Sequence, residues 1–520
     1  MPPSLPLGLF APLVLLVAAC AAFARPGQRP GMIPRLSEIA ALAALALGAA
    51  GLVQLLVEGP EQVALFGGPL ALVLRLDAVS ATMTLLVAFI GWVVMRYSRS
   101  YLDGEAREGR FHGLMLATLA AVLVLMLAGS LAVAILAFIG IGIGLRKLLL
   151  FYPDRAAARR AAAKFALVWH AGDAVLIVAA VLLVASFGTA DIATLAATAA
   201  PGLPLAGHLA VALLVLAAAL KTAAFPLHGW LTEVMEAPTP VSALLHAGII
   251  NAGGFLLIRT ADLVQASSGA MAALVMIGGL TALFGAVVML TQSAIKTALA
   301  WSTVAQMGFM LLQCGLGLWP LALLHIVAHS LYKAHAFLSS GGAVEAVAAL
   351  RRPGPVAVPR LGAVLKSFGL ALVLYAAMAT GFWIVAGPKT AQALALGTML
   401  IFGIAYLVAQ GLADAAPAAL TRRTGLASLG AAAAYFTFQL AAEAIWGPHL
   451  PPAPFPGALE WALIVLAVLS FGLVAFAQAL FPLWAHHPAT AGLRVHLANG
   501  LYLNALLDRL IGGFRVTSSN

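Results

Sequence analysis

Long apolar runs recur from the first residues of this chain almost to the last, and the basic side chains gather in every second gap between them. Few folds tolerate such a pattern. In hydrocarbon every backbone N–H and C=O must find its partner inside the protein, and for runs of this length that leaves helices as the spanning element. A helix needs about 20 apolar residues to cross a bilayer. Runs of that order lie near 7–24, 38–57, 71–95, 111–128, 130–150, 165–187, 205–224, 241–259, 271–291, 298–317, 319–341, 362–384, 393–413, 425–446 and 459–483. The expected fold is an all-α polytopic membrane bundle of about fifteen spans, some of them broken by proline and glycine. Charged residues make up 9% of the sequence, far below the roughly 25% of a soluble domain.

The gaps set an expected orientation. Arg25, Arg29 and Arg35 follow the first run, Arg96, Arg99, Arg107 and Arg110 the third, and Arg155, Arg159, Arg160 and Lys164 the fifth. Lys296 follows the ninth, Arg351, Arg352 and Arg360 the eleventh, and Arg422 and Arg423 the thirteenth. Basic loops stay cytoplasmic. The expectation is a cell (inner) membrane protein with its N-terminus outside and its C-terminus in the cytoplasm. Val17-Ala18-Ala19-Cys20 resembles a lipoprotein cleavage site, but no Lys or Arg precedes the first run, so a retained first helix is expected. We divide the chain into N-terminal membrane helices (1–110), a core (111–345), C-terminal membrane helices (346–485) and a tail (486–520). In the tail, Leu501, Leu503, Leu506, Leu507 and Leu510 form one broad face that suits a membrane surface or the underside of the bundle.

Several function classes drop out. There is no Walker loop, no dinucleotide fingerprint and no Cys/His cluster with zinc spacing, so no cofactor and no metal site is expected. Cys20 and Cys314 are too isolated for redox chemistry. The net charge of +10 reads as basic loops, with no nucleic acid as a partner.

What remains is charge at membrane depth, which is costly and marks ion paths. Lys221 ends a long apolar run just before a break at Phe225-Pro226, and Pro238-Thr239-Pro240 restarts a helix that carries His246 in its middle. Two readings of Lys221 stand: a side chain snorkelling to the interface, or a buried lysine that exchanges protons. Asp173 is either the counter-ion of a nearby lysine or a helix-end residue reaching water. His325, His329 and Lys333 recur every four residues, one stripe with about 6 Å of rise per step, which is the geometry of a relay. His335 lies off that stripe. Lys296, at a helix start, reads more as an interface anchor than as a relay member, and Glu233 and Glu236 cap or solvate the connection.

These stretches resemble the antiporter-like proton-pumping subunits of respiratory complex I and Mrp-type cation/proton antiporters. The likeness covers roughly Arg75 to Gly341 and rests on Lys221 through Gly248, Lys296 through Gly308 and His325 through Gly341. It implies a proton-translocating core in which Lys221, His246, His325, His329 and Lys333 line a central axis, with Asp173 and Lys296 as lesser members. The sequence departs from the family in two places. Ile139 stands where a glutamate partners the first lysine, and Gly381-Phe382-Trp383-Ile384-Val385, with Lys389 beyond it, replaces a late Gly-Phe-Phe-Ser-Lys. The stretches from Arg96 to Glu105, Leu148 to Arg155, His246 to Gly254 and Phe337 to Gly341 resemble a narrower group, the DabB membrane subunits of DAB inorganic carbon pumps. That resemblance implies a partner on the cytoplasmic side, a DabA-like zinc protein similar to β-carbonic anhydrases, and a flux of protons or sodium through the bilayer-embedded chain. The alternatives it leaves open are a complex I-type NADH-quinone oxidoreductase subunit and a stand-alone cation/proton antiporter. In none of these does the chain act as an enzyme itself.

Overall fold

The computed structural model describes residues 6–199, 202–341, 361–411, 418–480, 484 and 487–512. Arg351, Arg352 and Arg360, the boundary drawn at 345/346, and the far ends of the runs expected to reach 413 and 483 lie outside the described residues. The chain opens with α1 (Ala11–Phe23), α2 (Ile33–Glu58), α3 (Ala78–Tyr101), α4 (Glu108–Met126), α5 (Leu131–Leu149) and α6 (Ala156–Phe187). After a short α7 (Ile192–Ala199) come α8 (Leu205–Lys221), a one-turn α9 (Gly229–Thr232) and the broken pair α10 (Thr239–Ala247) and α11 (Ala252–Arg259). The chain continues through a short α12 (Ala261–Gln265), then α13 (Ser268–Met289), α14 (Ile295–Gly315) and α15 (Trp319–Ser339). Beyond the core lie α16 (Leu361–Ala386), α17 (Ala391–Gly411), α18 (Ala418–Trp446) and α19 (Ala458–Ala479), and the tail adds α20 (Ala491–Ala498) and α21 (Leu503–Leu510). Ten of these rods are long and apolar enough to cross a membrane by length and composition, and α1 with its 3-10 lead-in, α8 and the first part of α17 are shorter apolar helices. Each of the fifteen expected runs falls on one of the rods α1–α6, α8, α10–α11 and α13–α19.

The third run is shorter than its hydropathy implies. Residues from 72 form a strand, β2 (Leu72–Leu76), paired antiparallel with β1 (Glu61–Phe66) in the register Glu61 to Leu76. Asp77 then starts α3: its carboxylate accepts from the Ser80 N–H at 2.9 Å, and the Ser80 hydroxyl accepts from the Asp77 N–H at 2.7 Å. This reciprocal box satisfies helix-end donors that an uninterrupted span would not expose there. Arg75 N–H donates to the Leu127 carbonyl at 2.8 Å, so the strand also closes the α4–α5 turn.

The eighth span differs as well. His246 was expected in mid-helix, but α10 ends one residue later at Ala247, and a 3-10 turn, Ile249–Asn251, precedes α11. Glycines on both sides of the turn permit the break and bring backbones close. A Cβ on Gly253 would strike the Ala218 carbonyl of α8. The same device joins α13 to α14, where a Cβ on Gly278 or Gly308 would strike the facing backbone. Small residues let helices approach where lipid gives no hydrophobic drive to associate.

The tail packs under the bundle, but not by its leucine face. Leu507 is buried, whereas Leu501, Leu506 and Leu510 are exposed. Asp508 and Asn504 reach into the bundle, and the Gln292 side-chain amide donates to the Ala498 carbonyl at 3.2 Å.

Candidate ion-conducting site

Two buried polar clusters occupy the core. The first forms where α6 passes α8. The last residue of α8, Lys221, is fully buried, and its ammonium donates to Asp173 Oδ1 at 2.5 Å and to the Trp169 carbonyl at 2.8 Å. It also lies over the Trp169 ring at 4.0 Å and 5.0 Å from the Phe138 ring centre. Gly172 makes this approach possible, since a Cβ there would press on the lysine stem at 3.0 Å. His170 Nδ1 lies 3.2 Å from the second oxygen of Asp173, so the carboxylate joins an interior lysine to a half-exposed imidazole. Of the two readings of Lys221, the structure places it away from the interface with Asp173 as its counter-ion.

The second cluster lies between α10, α14 and α15. His246 Nδ1 sits 3.1 Å from Thr303 Oγ1, and its ring stacks on Phe337 with centroids 4.2 Å apart. His329 Nε2 faces the His246 carbonyl at 3.1 Å and Nδ1 faces Gln306 Oε1 at 2.6 Å. Lys333, buried, donates to Ser302 Oγ at 2.8 Å and the Leu299 carbonyl at 3.0 Å. The His325 and His329 rings are 6.0 Å apart. The four-residue spacing therefore does produce one inward stripe, and His335 is exposed off it. His325 and His329 line a cavity of about 570 Å³ shared by α13, α14, α15, α17, α18 and α19.

No direct hydrogen bond links the two clusters among the described residues. At the second cluster and in the eighth span Ser242 Oγ, His246 Nε2 and Asn251 Oδ1 are buried with no hydrogen-bond partner. All three lie on or beside the break in the eighth span. Asn251 keeps that break in register with α15 by donating to Ser330 Oγ at 2.9 Å. Lys296 is only half-buried; it donates to Thr239 Oγ1 at 3.2 Å, next to the prolines that restart α10. Pro226 follows a cis peptide bond in the connection, and Pro238 and Pro240 flank the start of α10. Ile139 is half-buried.

Sequence reasoning missed several participants. Lys164, counted above as a loop charge, is fully buried and bonded to Glu233 at 2.6 Å and Asp508 at 2.8 Å. Glu236 pairs with Arg155 at 3.1 Å. Arg259 ends α11 with its guanidinium on Asp77 at 2.6 Å, which ties the broken span to the start of α3. His228 is buried in the connection outside the spanning segments, among Phe225, Phe284 and Trp301, and burial pushes it down to about 4. An unpaired buried imidazole favours the neutral form because charging it would forfeit hydration.

A helical membrane bundle with interrupted spans and a line of buried lysines and histidines defines an antiporter-like membrane subunit. Two family models match: "NADH:quinone oxidoreductase/Mrp antiporter, TM" over residues 128–352 and "NADH-Ubiquinone oxidoreductase (complex I), chain 5 N-terminus" over residues 67–112. The probable inorganic carbon transporter subunit DabB2 of Halothiobacillus neapolitanus is 38% identical over 452 residues, 85% of this chain and 80% of that protein. The NADH-quinone oxidoreductase subunit L of Mycobacterium tuberculosis is 30% identical over 466 residues, 85% of this chain and 70% of that protein. The solved Mrp complex from Dietzia sp. shares the fold at a TM-score of 0.57 and 24% identity, over 98% of this chain and 57% of that one. The chain belongs to the DabB family of inorganic carbon transporter subunits, within the wider complex I/Mrp antiporter-like family.

Proposed function

We propose that this chain is the cation-conducting membrane subunit of a DAB-type inorganic carbon pump. Protons, or sodium ions, run down their gradient through Lys221, His246, His329, His325 and Lys333. The flux drives or rectifies hydration of carbon dioxide to bicarbonate in a zinc-bearing, DabA-like partner. That partner docks on the cytoplasmic side, where the tail and the basic loops lie, and the N-terminus is outside. The observation that carries this reading is the buried Lys221–Asp173 pair in the same core as the His246–His329–Lys333 cluster, which has unpartnered buried polar atoms of its own. Each such group at membrane depth costs stability, so five of them near one break in one span are hard to account for as scaffold.

In this reading Asp173 holds Lys221 charged while the two are together. When the pair opens, the isolated ammonium loses its proton toward the break between α10 and α11, because desolvation disfavours the charged form. His246 and His329 each offer one imidazole nitrogen to receive and one to release. Lys333 takes the role of Lys221 at the other end, held by a hydroxyl and a carbonyl instead of a carboxylate. Lys296 stands where the path meets the start of α10.

The test is co-expression of the chain with its zinc partner in a bacterial strain that lacks carbonic anhydrase and needs raised carbon dioxide. Growth in air should depend on both proteins and be lost with Lys221→Ala and with Lys333→Ala at normal membrane levels. Growth that survives both substitutions would sink the relay. Co-purification with flavin and iron–sulfur proteins in place of a zinc protein would move the chain to a redox-driven pump.

A further inference from the structure

A second cavity, of about 530 Å³, opens at the end of the bundle opposite the tail. Its walls are the α14–α15 turn, the loop from α16 to α17 with the start of α17, α18, and the connection that follows α18. Two opposite charges face it, Glu443 from α18 and Lys389 from the loop, together with Gln439 and Thr390. Gln439 is 2% exposed, and its Oε1 has no hydrogen-bond partner. A buried amide oxygen left bare is costly unless the cavity it faces is wet.

This cavity and the one lined by His325 and His329 lie one above the other. Tyr435, Gln439 and Glu443 follow each other at four-residue spacing, one stripe of α18 with about 6 Å of rise per step. Tyr435 lines the inner cavity, whereas Gln439 and Glu443 line the outer one. The Tyr435 hydroxyl donates to the Ala393 carbonyl at 3.3 Å, and Ala393 belongs to the outer wall, so this bond lies in the septum between them. On α15, His325 is six residues from the helix start, about 9 Å below the outer end. It is thus the relay group nearest the septum.

The late helix offers no rival outlet at the positions that depart from the family. Trp383, Ile384 and Val385 of α16 are exposed on the bundle's outer surface, 58%, 80% and 84% respectively, where lipid would cover them.

We propose that the outer cavity is the mouth through which the travelling proton passes between the relay and the side of the membrane opposite the tail. Glu443 is the carboxylate that exchanges it with water, and Gln439 and Tyr435 hold the water that carries it across the septum to His325. Lys389 beside Glu443 disfavours other cations in the mouth. The inference rests on the proton-path reading above and adds its route.

The test uses the full chain with Cys20→Ala and Cys314→Ala, co-expressed with its partner. Single cysteines replace Gln439, Glu443 and, as a lipid-facing control, Phe438. A membrane-impermeant maleimide is applied to sealed vesicles of both orientations, and proton flux is measured before and after. The expected result is labelling of Gln439→Cys and Glu443→Cys from the side opposite the tail only and none of Phe438→Cys; both unlabelled cysteine variants, each lacking a group of the route, should already carry less flux than the parent, and labelling should remove what remains. In unlabelled protein Glu443→Gln should lower flux several-fold and Glu443→Asp restore it. Unlabelled Gln439→Cys overturns the mouth while leaving the relay standing, as long as Lys333→Ala abolishes flux. Labelling without change in a flux that Lys333→Ala abolishes also overturns it, because the water-filled pit then lies off the route. If the parent chain shows no flux with its partner, the proton-path reading fails and this inference with it, whatever the labelling.

Discussion

Asp173 holds the Lys221 ammonium at 2.5 Å in a site where both side chains are almost completely buried. Removing one partner of a buried ion pair leaves a charge without compensation and costs about 3–5 kcal/mol. Asp173→Asn and Lys221→Met should each destabilise the chain by that order, read as a fall in unfolding temperature in detergent. The double variant should regain most of the loss, since it leaves no charge behind. Under the proposed function it should regain no flux. A double variant as unstable as the worse single one would mean that Lys221 is held by the Trp169 carbonyl and the two aromatic rings more than by the carboxylate.

Arg259 and Asp77 make a comparable pair at the far end of the bundle. The guanidinium is held by Asp77 at 2.6 Å and the Met126 carbonyl at 3.3 Å, and Arg75 adds a third contact to Asp77 at 3.0 Å. Arg259 terminates the broken span that carries His246, so it positions that histidine without touching it. Arg259→Leu removes the more buried of the two guanidinium partners of Asp77, whose carboxylate also caps α3, while Arg75 stays in place, and a loss of about 1.5–3 kcal/mol is expected. Arg259→Lys should recover part of it, because one of the two contacts needs the planar fork. Equal unfolding temperatures for the two variants would contradict this.

How far such a site can be read beforehand depends on where partners lie in sequence. The 325–333 stripe was legible because helical periodicity alone brings its members into line. Asp173 was legible only as one of two alternatives, a counter-ion or a helix end reaching water, because its lysine is 48 residues away and only packing brings α6 against α8. Lys164 was not legible. Its partners are 69 and 344 residues away, and its Ala-rich neighbourhood reads as a cytoplasmic helix end. The strand at 72–76 was hidden for a different reason: its leucines and valine have the hydropathy of a span, and only the capping by Asp77 ends it. The break after His246 was signalled by glycines, yet hydropathy averages over a one-turn interruption.

His228 gives a pH prediction. Its ordinary value is about 6.5, and burial lowers it to about 4. Between those values the unfolded chain binds a proton that the folded chain refuses, so stability is full above about 6.5 and falls as pH drops toward 4, by at most about 1.4 kcal/mol per unit. His228→Phe fits an aromatic surrounding of Phe225, Phe284 and Trp301 and should flatten that slope. Unfolding temperatures measured from pH 4 to pH 7 check it, and equal slopes in parent and variant would remove His228 as the cause.

Lys164 supplies the last prediction, because it fastens the tail to the connection that follows Lys221. Its ammonium is shared by Glu233, in the connection that follows Lys221, and by Asp508 of α21. Gly229 lets α21 come close, since a Cβ there would collide with Asn504, and Leu507 fills the space beside it. The tail therefore rests on the segment that must yield if Lys221 is to leave Asp173. Asp508→Asn keeps the shape and halves the counter-charge at Lys164, which should loosen α20 and α21. Limited proteolysis should cut near residues 487–500 faster than in the parent, while the core fragment stays intact. Lys164→Met should cut faster still, because it strands two carboxylates at once. Gly229→Leu should release the tail by sterics with every charge in place, and so separates the contact from its electrostatics. Tail cleavage at the parental rate in all three variants would show that α20 and α21 are held by something other than this junction.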